Sequence, residues 1–197
     1  MRLSAAAGCV LLAASVAHAE PGRLLGDDTF AVSDGGHYIV DAGLFAAQPA
    51  ALPSGISTGI GGGVTRQCGC GLSYGLRASW STESASSTIW DVTHWDMRLR
   101  GLVQVRHTAG RGILALRLGA GPTFVHEHRV RIQSSEASMT IESSTTATLP
   151  AADLEALVGL HVAGPWIAMV AVGPTVEVLD GNLRGGWIAT IGVGWQP

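Results

Sequence analysis

The clearest pattern in the chain runs from Asp91 to Phe124 and repeats every second residue. Trp95, Met97, Leu99, Gly101, Val103 and Val105 form one set; Asp96, Arg98, Arg100, Leu102, Gln104 and Arg106 form the other. Successive side chains of a strand point to opposite faces, so this spacing predicts a strand with one apolar and one mostly polar face. After an Ala109-Gly110-Arg111-Gly112 turn, Leu114, Leu116, Leu118 and Ala120 alternate with Ala115, Arg117, Gly119 and Gly121, completing a hairpin. A water-facing sheet would carry Lys, Glu and Thr on its polar side. Arg, Gln and small residues suit a narrow polar interior better.

The same rhythm extends in both directions. Tyr38, Val40, Ala42 and Leu44 oppose Asp41 and Gly43, followed by a loop from Ala47 to Ser57 and a glycine-heavy strand from Thr58 to Gln67. A tight turn at Cys68-Gly69-Cys70 leads to Leu72, Tyr74, Leu76, Ala78 and Trp80 alternating with Ser73, Gly75, Arg77 and Ser79. Glu83 to Ile89 reads as a polar loop. Beyond Phe124 the alternation continues through His126, His128, Val130 and Ile132, turns near Ser134 to Ala137 and returns through Met139 and Ile141. These flanks are too polar for hydrocarbon and predict a protruding hairpin. Ala152, Leu154, Ala156, Val158 and Leu160 then oppose Asp153, Glu155, Leu157, Gly159 and His161. After a turn at Ala163-Gly164-Pro165, Trp166, Ala168, Val170, Val172 and Val176 oppose Ile167, Met169, Gly173, Thr175 and Glu177. Asp180-Gly181-Asn182 is a hairpin signal, and Trp187, Ala189, Ile191, Val193 and Trp195 close the series. Eight strands result.

Two segments echo each other: Gly121-Pro122-Thr123 and Gly173-Pro174-Thr175 stand at similar distances after the turns at Gly110 and Gly164. Proline cannot donate to a sheet ladder, so a bulge near the far rim is expected at each.

Composition turns this pattern into a membrane argument. The 197 residues are 47% hydrophobic and 14% charged, with 27 glycines. After the first 20 positions no apolar run reaches the length of a spanning helix, so the hydrophobicity is spread by alternation. Lipid offers no hydrogen-bond partners, and a sheet within it must close on itself. The fold class expected is therefore all-β: an eight-stranded antiparallel up-and-down transmembrane barrel with a filled polar interior. Trp80, Trp95, Trp166, Trp187 and Trp195 all fall in the outward set, as interfacial anchors should. Trp187 and Trp195 are eight residues apart, about 27 Å of strand, and with a tilt of about 40° they bracket most of the apolar band.

The amino terminus has the form of an export signal. Arg2, the apolar Ala5 to Ala14 and Ala17-His18-Ala19 predict cleavage between Ala19 and Glu20. Residues 20–36 then read as a periplasmic leader, and residues 37–197 as the barrel. Cleavage leaves 11 Arg against 15 acids, a formal charge of 11 − 15 = −4. With no basic cluster, nucleic-acid binding has no support.

The inward set contains Arg77, Arg98, Arg100, Arg106 and Arg117 with Asp41, Asp96, Asp153, Glu155 and Glu177. Five positive charges facing five negative ones predict a pairing network that plugs the lumen; a narrow pore for ions or small solutes is the alternative. His126 and His128 share one strand face, half of a metal site without an evident third ligand. His161 with Asp153 and Glu155 is too dispersed for acid/base work. Cys68 and Cys70 could close a small disulfide at their turn. No cofactor, metal or catalytic residue is expected.

Taken together, the signal segment, the eight alternating segments, the Gly119-to-Thr123 strand and the aromatic close at Trp195 resemble the small outer-membrane β-barrels of the OmpA, OmpX and opacity type. The resemblance implies an outer-membrane location in a Gram-negative-type bacterium, contact with lipid and lipopolysaccharide, and insertion by the barrel-assembly machinery. Such families usually end on an aromatic residue, whereas this chain ends Trp195-Gln196-Pro197. Their members include adhesins, structural anchors, resistance factors and lipid-modifying enzymes. The role expected here is structural or surface-interacting, with an extracellular partner at the Arg129-to-Thr146 hairpin. The enzymatic alternative would draw on His126, His128 and Ser134 or Ser135.

Overall fold

Period-two patterning becomes eight strands in the computed structural model, which describes residues 38–48, 55–68, 71–86, 90–131 and 142–197. They are β1 (Tyr38–Ala47), β2 (Ser57–Gln67), β3 (Leu72–Ser86), β4 (Trp90–Ala109), β5 (Gly112–Arg131), β6 (Glu142–Ala163), β7 (Trp166–Leu179) and β8 (Asn182–Trp195). Each pairs antiparallel with its neighbours in sequence, and β1 pairs with β8 to close a barrel. Closure removes the unpaired edges an open sheet would leave.

The faces fall as the alternation predicts. Leu44, Leu76, Val103, Leu118, Val158 and Ile191 are exposed on the outside. Asp41, Arg77, Arg98, Arg100, Arg117, Asp153, Glu155 and Glu177 are buried on the inside. The filling also includes two apolar clusters: Ile113, Leu157, Ile167 and Ala171 in one, Phe45, Ala47 and Ile188 in the other. The tight turns, the start of β1 at Tyr38 and the end of β8 at Trp195 share one end of the barrel, hereafter the turn end. At the other end Asp180 and Gly181, with φ of 52° and 74°, take the left-handed pair that a two-residue hairpin requires.

Two expectations change, the polar loop from Glu83 and the bulges at the prolines. Glu83 to Ser86 are not loop but the last residues of β3, paired with His94 to Asp91; lying beyond the apolar band, this part of the sheet needs no apolar face. Strand lengths are unequal, 10 and 11 residues in β1 and β2 against 20, 20 and 22 in β4, β5 and β6. The prolines produce no bulge. Arg98↔Thr123 and Gly101↔Ala120 keep one register, as do Asp153↔Thr175 and Ala156↔Val172, and pairing lapses between them. The reason lies in the preceding glycines: a side chain on Gly121 would run into the backbone carbonyl of Leu99, and one on Gly173 into that of Leu154. Without side chains the strands dip toward their neighbours there, and no extra residue is needed.

Gly173→Ala is accordingly expected to cost about 1–3 kcal/mol by overpacking, read from urea unfolding in detergent micelles. Gly185→Ala, where nothing lies within 4 Å, is the control and should be near neutral.

The leader, the cleavage site, Cys70, Ser134 and Ser135 lie outside the described residues. Cys68 is half-buried at the end of β2, its backbone N–H donating to Leu72 O at 2.8 Å.

Candidate functional site

The inward charges form three linked groups stacked along the lumen. Nearest the middle, Glu155 Oε2 accepts from both Arg77 Nη1 at 3.3 Å and Arg117 Nη1 at 3.4 Å. Arg117 Nη2 also stands 4.0 Å from Asp41 Oδ2, and its Nε donates to Gln104 Oε1 at 3.2 Å. Arg77 Nη2 reaches across to Thr190 Oγ1 at 3.1 Å. One carboxylate therefore serves two guanidinium groups.

The second group repairs the wall. Arg100 Nε donates to Asp153 Oδ2 at 2.6 Å, and its Nη1 donates to the carbonyls of Pro122 at 2.7 Å, Leu99 at 3.2 Å and Gly121 at 3.3 Å. Carbonyls left over where proline interrupts the ladder thus find a donor from inside the barrel. Thr123 accepts from Arg100 Nη2 at 2.9 Å and donates to Glu177 Oε1 at 3.3 Å, while Thr175 donates to Asp153 Oδ1 at 2.5 Å. The repeated Gly-Pro-Thr thus supplies both the gap and a hydroxyl beside it.

In the third group Arg98 Nε donates to Asp96 Oδ1 at 3.0 Å, its guanidinium 5.8 Å over the Phe45 ring, with His94 Nε2 3.9 Å from Asp96 Oδ2. His94, Gln104, Thr123, Thr175 and Thr190 were not among the expected members. Thr123 and Thr175 could have been found, since the echo already puts both on the inward parity.

Nine of the ten expected lumen residues join these groups. Arg106 does not: among the described residues its Nη2 donates only to the neutral Gln196 Oε1 at 3.3 Å. Excluding it leaves four arginines against five carboxylates.

Outside, the five tryptophans expected as interfacial anchors, Trp90 not being one of them, face away from the lumen. Trp80, Trp166 and Trp195 are exposed, and Trp95 and Trp187 half-buried. Around the turn end an aromatic row runs across adjacent strands: Tyr74 and Tyr38 flank Arg66, and Trp195 pairs with Trp166. The Arg66 guanidinium lies 5.6 Å from the Tyr38 ring centre. An apolar wall bounded by such rings is the surface a bilayer requires.

No family model and no curated protein matches the chain. Solved structures do. Ail, the attachment invasion locus protein of Yersinia pestis, is similar with a TM-score of 0.53 at 11% identity, over 82% of this chain and 99% of that one. A major outer membrane protein from Thermus thermophilus gives 0.58 at 11% identity, over 83% and 100%. The chain has the fold of the small outer-membrane β-barrels.

At the barrel's far end, β3 to β6 continue beyond the rest of the wall. Glu142 to Pro150 of β6 pair with β5, and pairing with β7 starts only at Ala151↔Glu177. Among the described residues, nine consecutive residues of β6 therefore have a strand on one side alone. Glu142 to Thr146 are exposed on both faces.

His126 and His128 lie on the outer face of this extension. His126 stacks on Trp95 with ring centres 5.2 Å apart. Its Nδ1 is 3.0 Å from Thr146 Oγ1 and its Nε2 3.3 Å from Ser144 Oγ. The serine brought to His126 is thus Ser144. Both ring nitrogens of His126 thus meet hydroxyl oxygens. Arg129 pairs with Glu127, and Arg131 sits over the Trp90 ring at 6.0 Å. His161 is half-buried at the turn end, in a different part of the barrel from the groups around Asp153 and Glu155.

Proposed function

We propose that this chain is an integral outer-membrane barrel whose lumen is sealed and whose β3–β6 extension serves as a surface for binding an extracellular partner. The observation that carries the binding role is the open edge of β6. Nine extended residues give about 30 Å of backbone whose outward N–H and C=O groups are free to pair with an added strand. Exposed edges are commonly blunted by lysine, proline or a bulge. This one is Ser143-Ser144-Thr145-Thr146-Ala147-Thr148, with a charge and a proline only at its ends.

The apolar outer wall supports contact with lipid and lipopolysaccharide, the turn end facing the periplasm and the extension facing out. Insertion by the barrel-assembly machinery would read β8, whose last residue is Trp195. Sealing is supported by the density of paired side chains: the central cavity beside Arg77, Arg98 and Arg100 has room for about one water. In planar bilayers the purified protein is expected to show no stable channels; discrete, reproducible openings would favour the narrow-pore alternative.

The binding role is tested by replacing residues 129–146 with a short Asn-Gly turn. Barrel folding, read by heat-modifiable migration on a gel, should be kept. Cells displaying the shortened chain should attach to protein-coated surfaces at the level of cells displaying none. Equal attachment by both forms would remove the role given to the extension.

A further inference from the structure

We propose that the turn end of the lumen is a binding site for an oxyanion, a carboxylate or a phosphate, centred on the Arg106 guanidinium. Arg106 is 8% exposed. Arg77, Arg98, Arg100 and Arg117 each meet a carboxylate, whereas Arg106 forms no ion pair among the described residues. Its Nε and Nη1 are buried and have no acceptor. A guanidinium withdrawn from water with donors unmatched is an unfavourable arrangement. An anion would supply the missing charge and the missing acceptors together.

The surroundings are built rather than loose. The His161 backbone N–H donates to Arg111 O at 2.8 Å, and the Gln196 N–H to Pro165 O at 2.8 Å, fixing two walls of the mouth. His161 lies close enough to feel the charge of Arg106, and its ring can donate a further N–H.

The occupant is a free carboxylate or phosphate of the surrounding compartment, entering beside Gln196, which Arg106 touches.

The test uses the exported chain purified from membranes in detergent micelles, with inorganic phosphate as the probe and chloride at matched ionic strength as the reference. Phosphate is expected to raise the unfolding midpoint by a few degrees, and Arg106→Gln to abolish that rise. The Arg106 Nε–H resonance of the parent chain gives a reading that does not depend on the variant folding: it should shift with phosphate and not with chloride. A midpoint and a resonance indifferent to phosphate would overturn the proposal.

Discussion

Glu155→Ala is expected to destabilise the barrel by about 3–5 kcal/mol, the cost of leaving buried charge without its partner. The effect should be large because one carboxylate oxygen holds both Arg77 and Arg117. After its loss Arg117 keeps Asp41 at 4.0 Å and Gln104, but among the described residues Arg77 keeps only the hydroxyl of Thr190. Reversible urea unfolding in micelles measures the cost. Removing charge on both sides, as in Glu155→Met with Arg77→Met, should recover part of the loss, because buried pairs are often replaceable by apolar volume. A single-variant cost below about 0.5 kcal/mol, the range of ordinary surface changes, would mean the lumen charges do not hold the structure.

Leu118→Arg is expected to cost about 2–4 kcal/mol, the penalty for an arginine on the lipid face at mid-depth. Leu118 is 54% exposed, between Val103 and Leu154 on the neighbouring strands. In a water-soluble barrel the same substitution at so open a site would be close to neutral. The comparison is Leu72→Arg near the turn end, expected at about 0–1 kcal/mol. Equal, small costs at both depths, read from refolding into lipid vesicles, would argue that the outer wall is not in hydrocarbon.

Strand number, facing and the inward placement of all ten lumen charges were legible because a period of two leaves no freedom once one face is apolar. Limits appeared where that constraint is lifted. Glu83 to Ser86 are polar on both parities, and only their pairing with β4 shows them to be strand. Partners inside the lumen were not legible either: parity says that Arg106 points inward, but not that the carboxylates gather around Arg77, Arg100 and Arg117. The expected bulges failed for a related reason. Sequence shows that proline lacks a donor, while the guanidinium that compensates comes from Arg100, more than 20 positions away.

The lapse at Pro122 ties the barrel wall to the ionisation of its contents. Three main-chain oxygens there are satisfied by a side chain, which Asp153 steadies in turn. Neutralising that one carboxylate would free the guanidinium to turn away and leave a short, dry stretch of staves unfastened. The cylinder is in this sense partly hooped from within, and a disturbance at its axis has a direct route to its skin.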